Sequence, residues 1–151
     1  INNVLKKVNI RSPFFVMNGD SLSNTSMLGM YKNFIDLDSQ SMIGLSYCND
    51  ATRYGSVEFK NDIITSFKEK NKNLSNKGSW INNGLYLFEK NIFSGYEGQF
   101  SLEKNILTKL AEEGRLHAYK TKNDSFIDIG IPSDYRKLYT IFKDNNKDNN
   151  Y

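Results

Sequence analysis

Cysteine, proline and histidine are nearly missing from this chain: one cysteine, two prolines and one histidine in 151 residues. A lone thiol, Cys48, excludes an internal disulfide and a cysteine-rich metal site, and it fits a reducing cytoplasm, which is the expected location. A lone imidazole, His117, lies in a strand-like stretch with no Ser, Cys or acid pattern around it. That argues against a catalytic triad or a zinc centre. No apolar run approaches the ~20 residues of a membrane helix, and no signal-peptide pattern opens the chain, so no membrane partner is expected. The net charge of +3 is spread over interleaved acids and bases with no basic block, so nucleic acid is not an expected partner either.

What is present describes one globular domain. Hydrophobic residues make up 38% and aromatics 13%, enough for a real core. Ile1, Val4, Leu5 and Val8 fall at i, i+3, i+4 and i+7, one face of an amphipathic helix. No Met begins that helix and no Ser, Thr or Asp stands before it as a cap, so the expectation is a piece of a longer polypeptide. Phe14–Met17 reads as a strand buried on both faces, the habit of parallel sheets. A helix over about 26–35, a strand over 41–48 and a hairpin of 56–60 and 62–67 about Asn61 follow. Trp80–Phe88 is another buried strand. Leu102, Ile106, Leu107 and Leu110 predict a helix over 101–113 with Gly114 as its stop. Short strands at 116–120 and 126–129 precede a last helix marked by Tyr135, Leu138, Tyr139 and Phe142 and entered through Pro132 and Ser133. From Asp144 onward the Asn, Asp and Lys residues predict a disordered tail, 144–151. Strands alternating with helices predict an α/β fold, a mostly parallel mixed sheet flanked by helices, with ligands beyond the carboxyl ends of the strands.

Several residues sit where that rule points, each with a plainer reading beside it. In Asn18-Gly19-Asp20 the glycine allows close backbone approach to a ligand, and the aspartate suits Mg²⁺, which takes one or two carboxylates plus substrate phosphates. The same triplet also makes an ordinary turn. Asp128, inside the apolar Phe126–Gly130 stretch, is costly to bury unless paired or bound to metal; a helix cap or salt bridge would serve as well. Lys70 can meet a phosphate as a point charge, whereas Lys68 and Lys72 read as a solvated charged stretch. Arg53-Tyr54-Gly55 and Trp80-Ile81-Asn82-Asn83-Gly84 offer the polar groups and apolar wall a sugar needs, and also suit turns. Asp36-Leu37-Asp38 imitates a glycosyltransferase DxD but lies at the wrong end of a strand, so it is read as turn chemistry.

Taken in order, FFVMNGD, RYGSVEF, ITSFKEK, WINNGLYLF, FSLEKNIL and FIDIGIPSDY resemble the sugar-1-phosphate nucleotidylyltransferases. The nearest likeness is to the guanylyltransferases of mannose 1-phosphate and of D-glycero-D-manno-heptose 1-phosphate. The resemblance runs from Phe14 to Tyr135 and implies a Rossmann-like, partial nucleotide-diphospho-sugar transferase fold. It implies that Asp20 and Asp128 hold a catalytic Mg²⁺, that Lys70 contacts the sugar phosphate, and that Glu69 contacts a sugar hydroxyl. Gly55 and Asn82 would line the sugar pocket, with Glu103 near the sugar. Asn18, Gly19, Tyr54 and Gly84 belong to the same motifs and are counted with the substrate-binding residues.

The family's G-G-x-G-T-R-L loop for the NTP phosphates and the lysine of its P-K-P element have no counterpart here. Residues 1–143 are therefore expected to be a catalytic domain without its N-terminal NTP-binding portion, inactive in isolation. Ile131 replaces a threonine that caps the last helix in the family, a loss of about 1 kcal/mol. The implied reaction is attack of a sugar 1-phosphate on the α-phosphate of an NTP, with GTP favoured, giving NDP-sugar and pyrophosphate for surface-polysaccharide synthesis. The partners are then NTP and sugar 1-phosphate, and a homo-oligomer is compatible with them. Two alternatives stand beside it. A metal-dependent glycosyltransferase would consume NDP-sugar without releasing pyrophosphate, and a non-catalytic sugar-phosphate-binding module would bind sugar phosphate and no NTP.

Overall fold

The structure is a computed structural model that describes residues 1–49, 54–68, 78–121, 126–130, 132, 134–136 and 138–140. Helix α1 (Asn2–Lys7) leads into strand β1 (Phe14–Met17), the short strand β2 (Ser21–Leu22), helix α2 (Met27–Asp36) and strand β3 (Ser41–Cys48). Strands β4 (Ser56–Lys60) and β5 (Ile63–Lys68) form the expected hairpin. Its turn is made by Asn61 and Asp62 at φ 50° and 63°, a left-handed conformation that Asn and Asp tolerate better than most residues. The long strand β6 (Ser79–Phe88) is followed by a 3₁₀ turn at Lys90–Phe93, a π-helical segment at Leu102–Leu107 and helix α3 (Thr108–Glu112). Strands β7 (His117–Thr121) and β8 (Ile127–Asp128) come next, and the described residues from 132 to 140 are helical. The expected tail lies outside the described residues. Among those described, no helix is long and apolar enough to cross a membrane.

The main sheet runs β1-β6-β3-β7-β5-β4, and β2 pairs with β8 apart from it. The α/β class with a mixed sheet flanked by helices holds; the expectation of a mostly parallel one does not. Among the described pairings only β3–β7 is parallel, while β1–β6, β3–β6, β4–β5, β4–β6 and β5–β7 are antiparallel. The continuous apolar runs come from cover on both faces, whatever the direction of the neighbouring strand. Met42 of β3 and Leu85 and Leu87 of β6 pack with Met30 and Phe34 of α2 on one side. Ile43, Leu45, Tyr86 and Phe88 pack with Ile106, Leu107, Leu110 and Ala111 on the other. At roughly 1.5–3 kcal/mol for each fully buried large apolar side chain, these two layers hold β3 and β6 as the rigid centre. Strand β1 departs from the expectation: it lies at the sheet edge, and its last residue, Met17, is 68% exposed.

Helix α2 is capped by Ser26, whose Oγ accepts from the Gly29 N–H at 3.0 Å, a bond typically worth about 1 kcal/mol. At its other end Asp38 adopts φ 46° and the Ser39 N–H returns to the Phe34 carbonyl. Asp36-Leu37-Asp38 is thus the turn it was read to be. Along α1, Ile1 and Leu5 reach the core while Val4 and Val8 stay exposed. In the last helix the inward residues are Asp134 and Leu138, one turn apart, rather than Tyr135 and Tyr139.

Candidate functional site

The two aspartates are brought together by a two-residue ribbon. Ser21 of β2 stands opposite Asp128 of β8, Leu22 stands opposite Ile127, and the Ile129 N–H donates to the Asp20 carbonyl at 2.8 Å. Asp128 Oδ1 also accepts from the Gly130 N–H at 3.0 Å. A Cβ on Gly130 would lie 3.1 Å from Asp128 Oδ1 and 3.8 Å from Asp20 Oδ2, so both carboxylates converge over that glycine. Neither forms an ion pair with a described lysine or arginine. No group of three or more His, Cys, Asp or Glu gathers among the described residues. Two hard, water-accessible carboxylates with no third acid, His or Cys gathered beside them among the described residues fit Mg²⁺, which keeps several waters and binds substrate phosphate.

Both acids line a cavity of about 660 Å³. Asn18, Tyr54, Gly55, Asn82 and Glu103 line the same space, so the structure gathers seven of the residues singled out in the sequence. The Tyr54 ring meets Phe126 edge-on at 5.3 Å, forming an apolar wall. Gly55 lies against β5, where a Cβ would come within 2.8 Å of the Lys68 carbonyl. Gly19 and Gly84 are not among the lining residues. Arg53, Glu69 and Lys70 lie outside the described residues, as does Ile131. Lys68 lines the cavity but is exposed and ion-paired with Glu58 at 2.5 Å. Hydrogen bonds first from Lys68 and then from Ser66 hold the Glu58 carboxyl below the ordinary glutamate value, while burial opposes them.

The Asn-Asn-Gly run in β6 is a bulge rather than a turn. Ile43 pairs with Tyr86 and Leu45 with Asn82, so β6 carries extra residues across that step. Side chains stand in for the lost ladder: Asn82 Oδ1 accepts from the Gly84 N–H at 3.0 Å, and Asn83 Oδ1 from the Leu85 N–H at 3.2 Å. Gly84 takes φ 81°, and a Cβ there would sit 2.9 Å from Asn18 Nδ2. Its place is behind Asn18, whose N–H bonds the Gly84 carbonyl. Such bulges re-aim side chains near active sites. Here Asn82 turns to the cavity and donates to Tyr86 Oη at 2.9 Å. Asn83, 3% exposed, donates instead to Thr25 Oγ1 at 2.8 Å and Ser46 Oγ at 3.0 Å. Thr25 also meets Thr121 Oγ1 at 2.9 Å. Asn83 thereby ties Thr25, in the segment that follows Asp20 and β2, to β3 at the centre of the sheet.

Tyr86 is a residue that sequence reasoning missed as part of the site. Burial pushes its phenol up, and the charges of Glu103 and Asp20 push the same way, while hydrogen bonds to Asn82 and Asn18 oppose them. It is a neutral hydroxyl linking two cavity asparagines. Its apolar neighbours in the strand gave no sign of this. Ser21, Lys104 and Thr108 also line the cavity without having been singled out. His117 lies away from the cavity with Nδ1 2.8 Å from Ser39 Oγ; burial lowers its pKa, partly offset by the charge of Asp62.

The family model described as nucleotidyl transferase matches residues 1–145. Over 124 residues the chain is 32% identical to the D-glycero-alpha-D-manno-heptose 1-phosphate guanylyltransferase of Aneurinibacillus thermoaerophilus, covering 81% of this chain and 52% of that protein. It is 31% identical over 129 residues to the mannose-1-phosphate guanylyltransferase catalytic subunit beta of Danio rerio, covering 83% of this chain and 35% of that protein. The crystal structure of HddC from Yersinia pseudotuberculosis complexed with GMP-PN matches with a TM-score of 0.74 at 35% identity, covering 93% of this chain and 59% of that one. The chain spans about half the length of the curated heptose-phosphate relatives it matches.

Proposed function

The chain belongs to the nucleotidyl transferase family, and on that basis we propose that it supplies the sugar-phosphate and metal half of a site that transfers a nucleoside monophosphate from NTP to a sugar 1-phosphate. The products are an NDP-sugar and pyrophosphate. The observation that carries this reading is the convergence of Asp20 and Asp128 over Gly130 within the cavity that also holds Asn82, Gly55 and Glu103. GTP is the favoured nucleotide because the relatives are named as guanylyltransferases.

The chemistry asks for little beyond placement and charge. The attacking sugar phosphate is already an anion at neutral pH, so the reaction needs no general base and the cavity needs no histidine. Bringing two polyanions together is the difficulty, and positioning plus charge neutralisation dominate such transfers. Members of this family generally use a divalent metal. Asp20 and Asp128 are the residues that would hold Mg²⁺, which when bound supplies positive charge between the phosphates. Asn82, fixed by Tyr86 and the Gly84 N–H, presents its amide to the sugar. Glu103 accepts a sugar hydroxyl, and Lys70 and Glu69 complete the set. The test is pyrophosphate release by the full-length protein from GTP with mannose 1-phosphate or heptose 1-phosphate. Mg²⁺-dependent release is expected. Sugar transfer from GDP-mannose without pyrophosphate release would overturn the reading in favour of a glycosyltransferase.

A further inference from the structure

We propose that Lys104 is a phosphate-binding residue of this cavity, meeting the phosphate of the sugar phosphate from the helix side, and that the π-helical winding puts it there. The inference rests on the reading of the cavity just given. Glu103, Lys104 and Thr108 all line the cavity. On an α-helix of about 3.6 residues per turn these three would spread over roughly 140° of the circumference. At the roughly 4.4 residues per turn of a π-helix they gather within about 80°. The wide turn is held from both ends. The Thr108 N–H reaches back to the Glu103 carbonyl, and Thr108 Oγ1 donates to the same carbonyl at 3.0 Å. At the start, Ser101 Oγ accepts from the Lys104 N–H at 3.2 Å, and Asn105 Oδ1 accepts from the Ser101 N–H at 2.8 Å.

Charge then separates Lys104 from its neighbour in the cavity. Lys68 is already engaged by Glu58, whereas Lys104 forms no ion pair with any described residue. An ammonium held beside a carboxylate without being paired to it matches a ligand carrying an anion next to hydroxyl groups. A sugar phosphate has that chemistry: Glu103 takes a hydroxyl and Lys104 takes the phosphate.

Calorimetric titration of the full-length protein with mannose 1-phosphate in the presence of Mg²⁺ tests this without relying on turnover. Lys104→Met is expected to weaken binding about five- to tenfold, as for one solvent-exposed charge pair, and to flatten its dependence on salt. Lys104→Arg should stay near wild type. Thr108→Val, which keeps the shape but removes the hydroxyl that braces the turn, should weaken binding by a smaller factor. Lys104 is exposed, so an unchanged melting temperature for Lys104→Met checks that the fold is intact. Wild-type affinity and salt dependence in Lys104→Met would overturn the inference while leaving the proposed function standing. Failure of the wild-type protein to bind any sugar phosphate would overturn both.

Discussion

The acids on the outside of the molecule and those inside the cavity have different neighbours. On the surface, Glu58 meets Lys68 at 2.5 Å, Asp62 meets Lys120 at 2.6 Å and Glu113 meets Arg115 at 2.7 Å. Asp20, Glu103 and Asp128 share one cavity and meet no cation among the described residues. Exposed ion pairs add little to stability because water and salt screen them, so the surface set can be lost cheaply. The cavity acids share their space with Lys68 and Lys104 but are not engaged in an ion pair with any described residue. A carboxylate without an ion pair among the described residues is available to a ligand, and that difference, rather than the number of acids, is the basis for the proposed site.

The strongest way to break the comparison is to neutralise one cavity acid. Asp20→Asn or Asp128→Asn in the full-length enzyme is expected to lower turnover about a thousandfold, since one charge pair at ~4 Å and an effective dielectric of ~20 is worth about 4 kcal/mol. Steady-state pyrophosphate release measures it. Gly84→Ala comes next: a left-handed backbone and a Cβ 2.9 Å from Asn18 Nδ2 should cost about 2–3 kcal/mol, read as a lowered melting temperature. Asn83→Ala takes the side-chain acceptor from the buried Leu85 N–H and removes one donor each from the Thr25 and Ser46 hydroxyls, and should cost about 1–2 kcal/mol. It should also raise the Mg²⁺ concentration needed for half-maximal binding of sugar phosphate, which a purely structural asparagine would leave alone.

The smallest effect belongs to the surface set. Because Lys68 and Ser66 depress the Glu58 pKa, the contribution of that contact is present above the ordinary glutamate value of 4.5 and lost as pH falls through the lower folded value. The melting temperatures of wild type and Glu58→Gln should therefore differ slightly at neutral pH and converge in acid. A Glu58→Gln effect rivalling that of Asp20→Asn on turnover would erase the distinction between the two sets.

Much of this was legible in the sequence, and the gaps have physical causes. The limits of β3 and the hairpin about Asn61 follow from the polar turn residues that bound the strand-forming runs, and the aspartates stood out because carboxylates are costly in apolar stretches. The direction of the strands was not legible: a run such as Leu85–Phe88 looks the same whether its covered neighbours are parallel or antiparallel. The bulge was hidden because Asn-Asn-Gly is also turn vocabulary. Leu102, Ile106, Leu107 and Leu110 satisfy an α-helical face closely enough to conceal the π-helical turn, so Lys104 and Thr108 could not be placed in the cavity from spacing alone. The ribbon of β2 and β8 is two residues on each side, too short for any periodicity to announce it.

The central claim is that Asp20 and Asp128 together grip a single divalent ion. Titration with Mn²⁺ in place of Mg²⁺, followed by electron paramagnetic resonance in the presence of mannose 1-phosphate, tests it most directly. One bound ion in the wild type, lost in both Asp20→Asn and Asp128→Asn, is the predicted result. Undiminished Mn²⁺ binding in either variant would contradict it.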